Sequence, residues 1–190
     1  MVERLKQEYK VEVEWRPFYL YFDTPPEGRE LPEHVRRARA NGSEERLQQI
    51  AKSFGMEFMS TIRIYNTRRA HEATEYAREH DKANEFHHIL FHAVYAGGKD
   101  PSQWDVLRMA AQETGLDGEA MQQEVESGKY TEKVFEQVKW AYQIGVTGVP
   151  TYVINNRYAV VGAQPYEVFL QVLERLNSDA EARKNNSEAT

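Results

Sequence analysis

The chain has 190 residues, 41% of them hydrophobic and 28% charged, which suits one globular domain or one small fold carrying an insert. A net charge of −6 argues against a nucleic-acid partner, and the lack of any apolar run of about 18 residues argues against a membrane-spanning helix. With no cysteine, the sequence excludes disulfides, thiolate nucleophiles, cysteine-ligated zinc and iron–sulfur clusters.

Residues 1–10 are charged throughout and have no apolar core of a signal peptide, so a cytoplasmic location is expected. Val11, Val13 and Trp15 alternate with acids, a period of two that predicts a half-buried strand over 11–20, with Pro17 ending regular pairing. Pro25, Pro26 and Gly28 mark a loop. Residues 31–54 are helical in two pieces, broken at Asn41-Gly42, with Ser43 placed to cap the second piece and Gly55 to stop it.

A run of helices follows. Asn66 or Thr67 opens the first, whose apolar face is Ala70, Ala73, Tyr76 and Ala77. The next covers about 82–95, with Phe86, Ile89, Leu90, Ala93 and Val94 inward and Gly97-Gly98 at its end. Asp100-Pro101 predicts a helix start, with an acid at the cap and proline at the first helical position. Asp117 and Thr131 are placed to cap two more helices, and Gly145 ends the last.

The period then returns to two. Residues 151–155 and 158–161 are short β-rich runs joined through Asn155-Asn156-Arg157, which predicts an antiparallel hairpin. After Gly162, Ala163, Gln164 and Pro165, the stripe Val168, Phe169, Val172, Leu173 and Leu176 predicts a closing helix, and 178–190 is expected to be a disordered tail. A lone strand is unstable, so 11–20 is expected to join the hairpin in one sheet covered by helices.

Residues 145–150 (GVTGVP), the hairpin, and Gly162 to Pro165 before the last helix closely resemble the DsbA-like branch of the thioredoxin superfamily, most nearly its cytosolic FrnE-like subgroup. Residues 66–71 (NTRRAH) and Trp15-Arg16-Pro17-Phe18 support the resemblance, which runs over almost the whole chain. It implies an α/β thioredoxin-like fold with a large all-helical insert. The core would comprise 1–28 and 145–177, and the insert 29–144. It also implies a cis Val149–Pro150 bond. Thr147, Gly148, Val149 and Pro150 would then form a substrate-binding edge whose backbone pairs with an extended protein or peptide.

Members of the family carry Cys-x-x-Cys at the start of the first helix, where the helix N-terminus activates the first thiol. Here residues 1–9 look like the last turns of that helix, and the resemblance places the usual first strand and the Cys-x-x-Cys upstream of Met1. A late start or fragment and a genuine loss of the motif both stay open. Without a central strand the chain is expected to be marginally folded or to self-associate.

Three functions compete. The first is a thiol–disulfide oxidoreductase or isomerase whose redox cysteines are absent from this chain, so that no catalytic residue is assigned. The second is a glutathione-dependent protein of the 2-hydroxychromene-2-carboxylate isomerase type. The third is a non-catalytic peptide-binding module.

Other constellations have plainer explanations. His88 and His92 share a helix face and His71 could be a third zinc ligand, but a packed aromatic helix surrounds them and no metal or cofactor is assigned. Glu113, Asp117, Glu119 and Glu124 suit caps and solvated faces. Arg36, Arg37, Arg39 and Arg68, Arg69 are flanked by acids, as on a solvated helix face. Trp15, Phe18, Tyr19, Tyr21 and Phe22 suit packing, or the wall of an apolar groove beside Val149-Pro150.

Overall fold

A computed structural model describes residues 2–188, with side chains described through Asp179. In chain order the elements are α1 (Val2–Glu8), β1 (Arg29–Glu30), α2 (Glu33–Ala38), α3 (Glu44–Ser53), β2 (Arg63–Ile64), α4 (Arg68–Glu79) and α5 (Ala83–Tyr95). Then come α6 (Trp104–Glu113), α7 (Gly118–Glu126), α8 (Thr131–Gln143), β3 (Thr151–Ile154), β4 (Tyr158–Val161) and α9 (Tyr166–Glu188). The chain divides into two compact units, Met1–Leu20 with Trp140–Thr190, and Tyr21–Lys139. Among the described residues no helix is long and apolar enough to cross a membrane.

The Tyr21–Lys139 unit is helical. Its core gathers Ala70, Ala73 and Tyr76 of α4, Phe86 and Leu90 of α5, Leu107 and Ala110 of α6, and Met121 of α7. The alanines on α4 let neighbouring helices approach closely, and Gly118 serves the same end. A Cβ there would meet Arg108 of α6 at 3.1 Å, so a larger residue at this spot would require α6 and α7 to give by a few tenths of an ångström. Asp117 caps α7 as its position predicts, its carboxylate accepting from the amides of Glu119 and Ala120.

Several helix starts differ from expectation. Asp100 does not cap α6. Its carboxylate accepts from the Ser102 amide and hydroxyl and from the Gln103 side chain, so 100–103 closes as a turn and α6 begins at Trp104. Ser43 makes no capping bond, because the break at Asn41 and Gly42 (φ 86°) leaves it already in helical geometry. Thr131 is the first residue of α8, and its hydroxyl donates to Glu72 at 2.8 Å. The pairing of β1 with β2, Arg29 opposite Ile64 and Glu30 opposite Arg63, was not expected, since two-residue strands carry no periodicity to detect.

The second unit holds the hairpin and α9. β3 and β4 pair antiparallel, Thr151 opposite Val161 and Ile154 opposite Tyr158. Asn155 (φ 51°) and Asn156 (φ 53°) both adopt the left-handed geometry that a tight hairpin turn requires. Phe169 of α9 is buried and meets the Tyr152 ring edge-on at 4.9 Å. Asp179 anchors the hairpin's far end through Arg157 (2.9 Å) and the Tyr158 hydroxyl (2.8 Å).

Two expectations fail in this unit. Residues 11–20 form no strand, and the hairpin stands as a two-stranded sheet of its own rather than sharing one with them. The alternation itself is real: Val11, Val13 and Trp15 are half-buried while Glu12, Glu14 and Arg16 are exposed. Periodicity reports which side of a segment is covered, whereas a ladder also needs a neighbouring strand, and among the described residues none lies alongside. Side chains hold the segment instead. Arg16 lies over Trp140, Phe18 packs 5.0 Å from Tyr142, and the Tyr142 hydroxyl donates to the Tyr19 carbonyl at 2.6 Å. The stretch from 178 expected to be disordered continues α9 to Glu188, and 189–190 lie outside the described residues.

Candidate functional site

α8 ends where Gly145, at φ 83°, lets the Gly145 and Val146 amides turn back onto the carbonyls of Tyr142 and Ala141. The next residues are the four predicted site positions, and they sit together on one bend before β3. Thr147, Val149 and Pro150 are exposed and Gly148 is half-buried. The Val149–Pro150 peptide bond is cis.

Hydrogen bonds fix both ends of this bend. The Thr151 hydroxyl donates to the Gly148 carbonyl at 2.7 Å, and the Gly162 amide donates to the Pro150 carbonyl at 2.8 Å, lengthening the hairpin ladder by one bond. Between these ties, no described residue bonds to the Val149 N–H or C=O, and its side chain is 53% exposed. A donor, an acceptor and an apolar side chain are therefore presented together on a braced backbone. A Cβ on Gly148 would meet nothing within 4 Å, so the space beside Gly148 is open.

The other candidates fall to structural duties. His71 is pushed down to about 4 by burial, against a smaller opposing pull from Glu75, and His87 likewise to about 4 by burial, His88 and His71. Among the described residues no three His, Asp or Glu side chains gather in an arrangement that could hold a metal ion. Asp117 is spent as a cap, and Glu119 pairs with Arg108 at 3.0 Å. Lys129 Nζ donates to both Glu79 and Glu124 at 2.7 Å. The arginines are also engaged: Arg36 with Glu30, Arg37 with Glu33, Arg39 with the Thr61 carbonyl, Arg68 with Glu72, and Arg69 with the Ser102 carbonyl and the Trp104 ring. Of the aromatic group, Phe18 packs on Tyr142, Tyr21 lies under Arg29, and Phe22 is exposed.

Sequence reasoning missed two networks. In the first, the Tyr166 hydroxyl donates to Glu8 at 2.7 Å while Arg4 bonds Glu8 and covers the Tyr166 ring, tying α1 to the start of α9. In the second, buried Glu75 meets Gln137, Lys133 and Arg78. Burial alone would raise the Glu75 carboxyl, but these three partners hold it below its ordinary value. Both networks join residues far apart in sequence, and no local pattern marks them.

The order of elements and the bend before the hairpin define a thioredoxin-like α/β fold. A solved 2-hydroxychromene-2-carboxylate isomerase superposes on all of this chain and 90% of its own, with a TM-score of 0.71 at 20% identity. A probable DsbA oxidoreductase from Streptomyces coelicolor, SCO1869, matches 73% of this chain with a TM-score of 0.65 at 26% identity, and the match spans 60% of SCO1869. The uncharacterized protein YwbO of Bacillus subtilis (strain 168) is 28% identical over 92% of this chain and 84% of its own length. The DSBA-like thioredoxin domain model matches residues 1–174, and the chain belongs to that family. It is a family member without cysteine, so it carries no thiol for disulfide exchange.

Proposed function

We propose that this chain acts as a binder of extended polypeptide, with Thr147, Gly148, Val149 and Pro150 as the binding edge, and that it is a FrnE-like member of its family working in the cytoplasm. The reading rests on the Val149 backbone, whose donor and acceptor are unbonded among the described residues while the carbonyls on either side are tied down. An incoming strand can pair there through main-chain bonds, which recognise a chain's extension rather than its sequence. The absence of thiols makes the expected activity binding without turnover.

Titration with a fluorescently labelled, permanently unfolded polypeptide tests this. Val149→Pro removes the N–H that the incoming carbonyl would meet, and binding is expected to weaken about tenfold, on the order of one main-chain hydrogen bond. Binding as tight as that of the unaltered chain would move the site elsewhere. Reduction of insulin disulfides by the purified chain would contradict the whole reading.

A further inference from the structure

We propose that Met56 and Met59 form a peroxide-sensitive methionine site that switches an exposed apolar ledge of the helical unit to a polar one. Among the described residues sulfur occurs at four positions. Met121 is fully buried in the helical core and Met109 packs against it, whereas Met56 is 57% exposed and Met59 is 51% exposed. Both exposed sulfurs lie on the irregular segment between α3 and β2. Leu47, Ile50, Phe54 and Ile62, on α3 and that same segment, are also exposed, so residues 47–62 present apolar side chains besides the two thioethers.

The segment is held at a few points. The Met59 amide donates to the Tyr95 carbonyl at 2.6 Å, and the Phe58 ring stacks on the Tyr95 ring at 5.9 Å. The Met59 thioether rests over the turn that ends α5, its sulfur 3.7 Å from where a Cβ on Gly98 would sit. Met59 is thus both accessible and in contact with a turn that helps seat the segment, while the Met56 side chain is more than half exposed.

The chemistry balances. A thioether lone pair attacks one peroxide oxygen, the S–O bond forms, the O–O bond breaks, and water leaves. Sulfur is oxidised by two electrons and hydrogen peroxide is reduced. The sulfoxide is polar, and a methionine sulfoxide reductase returns it to the thioether at the expense of a thiol reductant. Two such additions turn the adaptable part of an apolar surface into a hydrogen-bond acceptor surface. Met121 is shielded by the core and Met109 is half-buried against it, so among the described residues Met56 and Met59 are the exposed thioethers.

The test exposes the folded full chain to hydrogen peroxide, maps oxygen uptake by peptide mass spectrometry, and follows an environment-sensitive apolar dye. Met56 and Met59 are expected to oxidise about tenfold faster than Met121, because susceptibility follows exposure. Dye fluorescence is expected to fall about twofold in parallel and to recover on treatment with the reductase. The Met56→Leu, Met59→Leu chain keeps the apolar shape, so it should bind dye as well as the original and show no change in dye binding on peroxide treatment. Met121 oxidising as fast as Met56, selective oxidation with unchanged dye binding, or a dye response surviving in the double-leucine chain would each overturn the proposal.

Discussion

In the helical unit, Tyr76, Phe86, Leu107 and Met121 from four successive helices meet in one buried cluster. In the hairpin unit, β3 and β4 satisfy only each other, and burial is carried by a few contacts such as Phe169 against Tyr152. The first arrangement is built from local contacts and closes on itself. The second leaves main-chain groups at a strand entrance open to a partner. Stability is therefore concentrated in one unit and the candidate site lies in the other, where an unpaired edge is tolerated because the fold does not depend on closing it.

The strongest way to break that comparison is Phe86→Ala. Phe86 is fully buried at the centre of the helical cluster, and its removal should cost about 3–5 kcal/mol, read as a drop in the urea midpoint by circular dichroism. A loss under about 1 kcal/mol would mean that the cluster can collapse around the void and is not the closed core described above.

A smaller effect comes from pH. The folded chain resists protonating His71 and His87 until about pH 4, mainly because packing strips water from both half-buried rings, whereas unfolded histidines take up protons near pH 6.5. Between those values the unfolded state binds more protons. The contribution is therefore complete above pH 6.5 and is lost as pH falls toward 4. Glu75, held below its ordinary value, adds a loss at still lower pH, as pH falls through its folded value. His71→Gln should flatten the difference in urea midpoint between pH 7 and pH 5. An unchanged difference would place the histidines in water rather than among the helices.

The same contrast governs what the sequence made legible. The stripe on α5, the Asp117 cap and the Asn155-Asn156 turn are local patterns whose meaning is complete within a few residues, and each appears where the pattern put it. The cis bond before β3 was expected from the family resemblance, because a proline at a strand entrance is by itself compatible with either isomer. The segment containing Val11, Val13 and Trp15 shows the limit: its covered side was readable, but its pairing depends on a neighbour elsewhere. Asp100-Pro101 shows a second limit, because Ser102 and Gln103 compete locally for the carboxylate that would have capped α6. The Glu8–Tyr166 and Glu75–Lys133 ties could not be read at all, being pairings chosen by the fold.

The finest test lies at Gly148. Its φ is not in the left-handed region and a Cβ would meet nothing within 4 Å, so the folded state has no steric reason for glycine. Gly148→Ala should then raise stability slightly, by about 0.4–1 kcal/mol, because alanine restricts the unfolded chain. The added methyl would project into the open space beside Gly148, where an incoming strand must approach. Binding of the unfolded polypeptide is therefore expected to weaken while the urea midpoint rises. That opposite movement separates a residue kept small for a partner from one kept small for the fold. If stability falls instead, the bend is tighter than its geometry indicates. If binding is untouched, the approach to Val149 comes from another side.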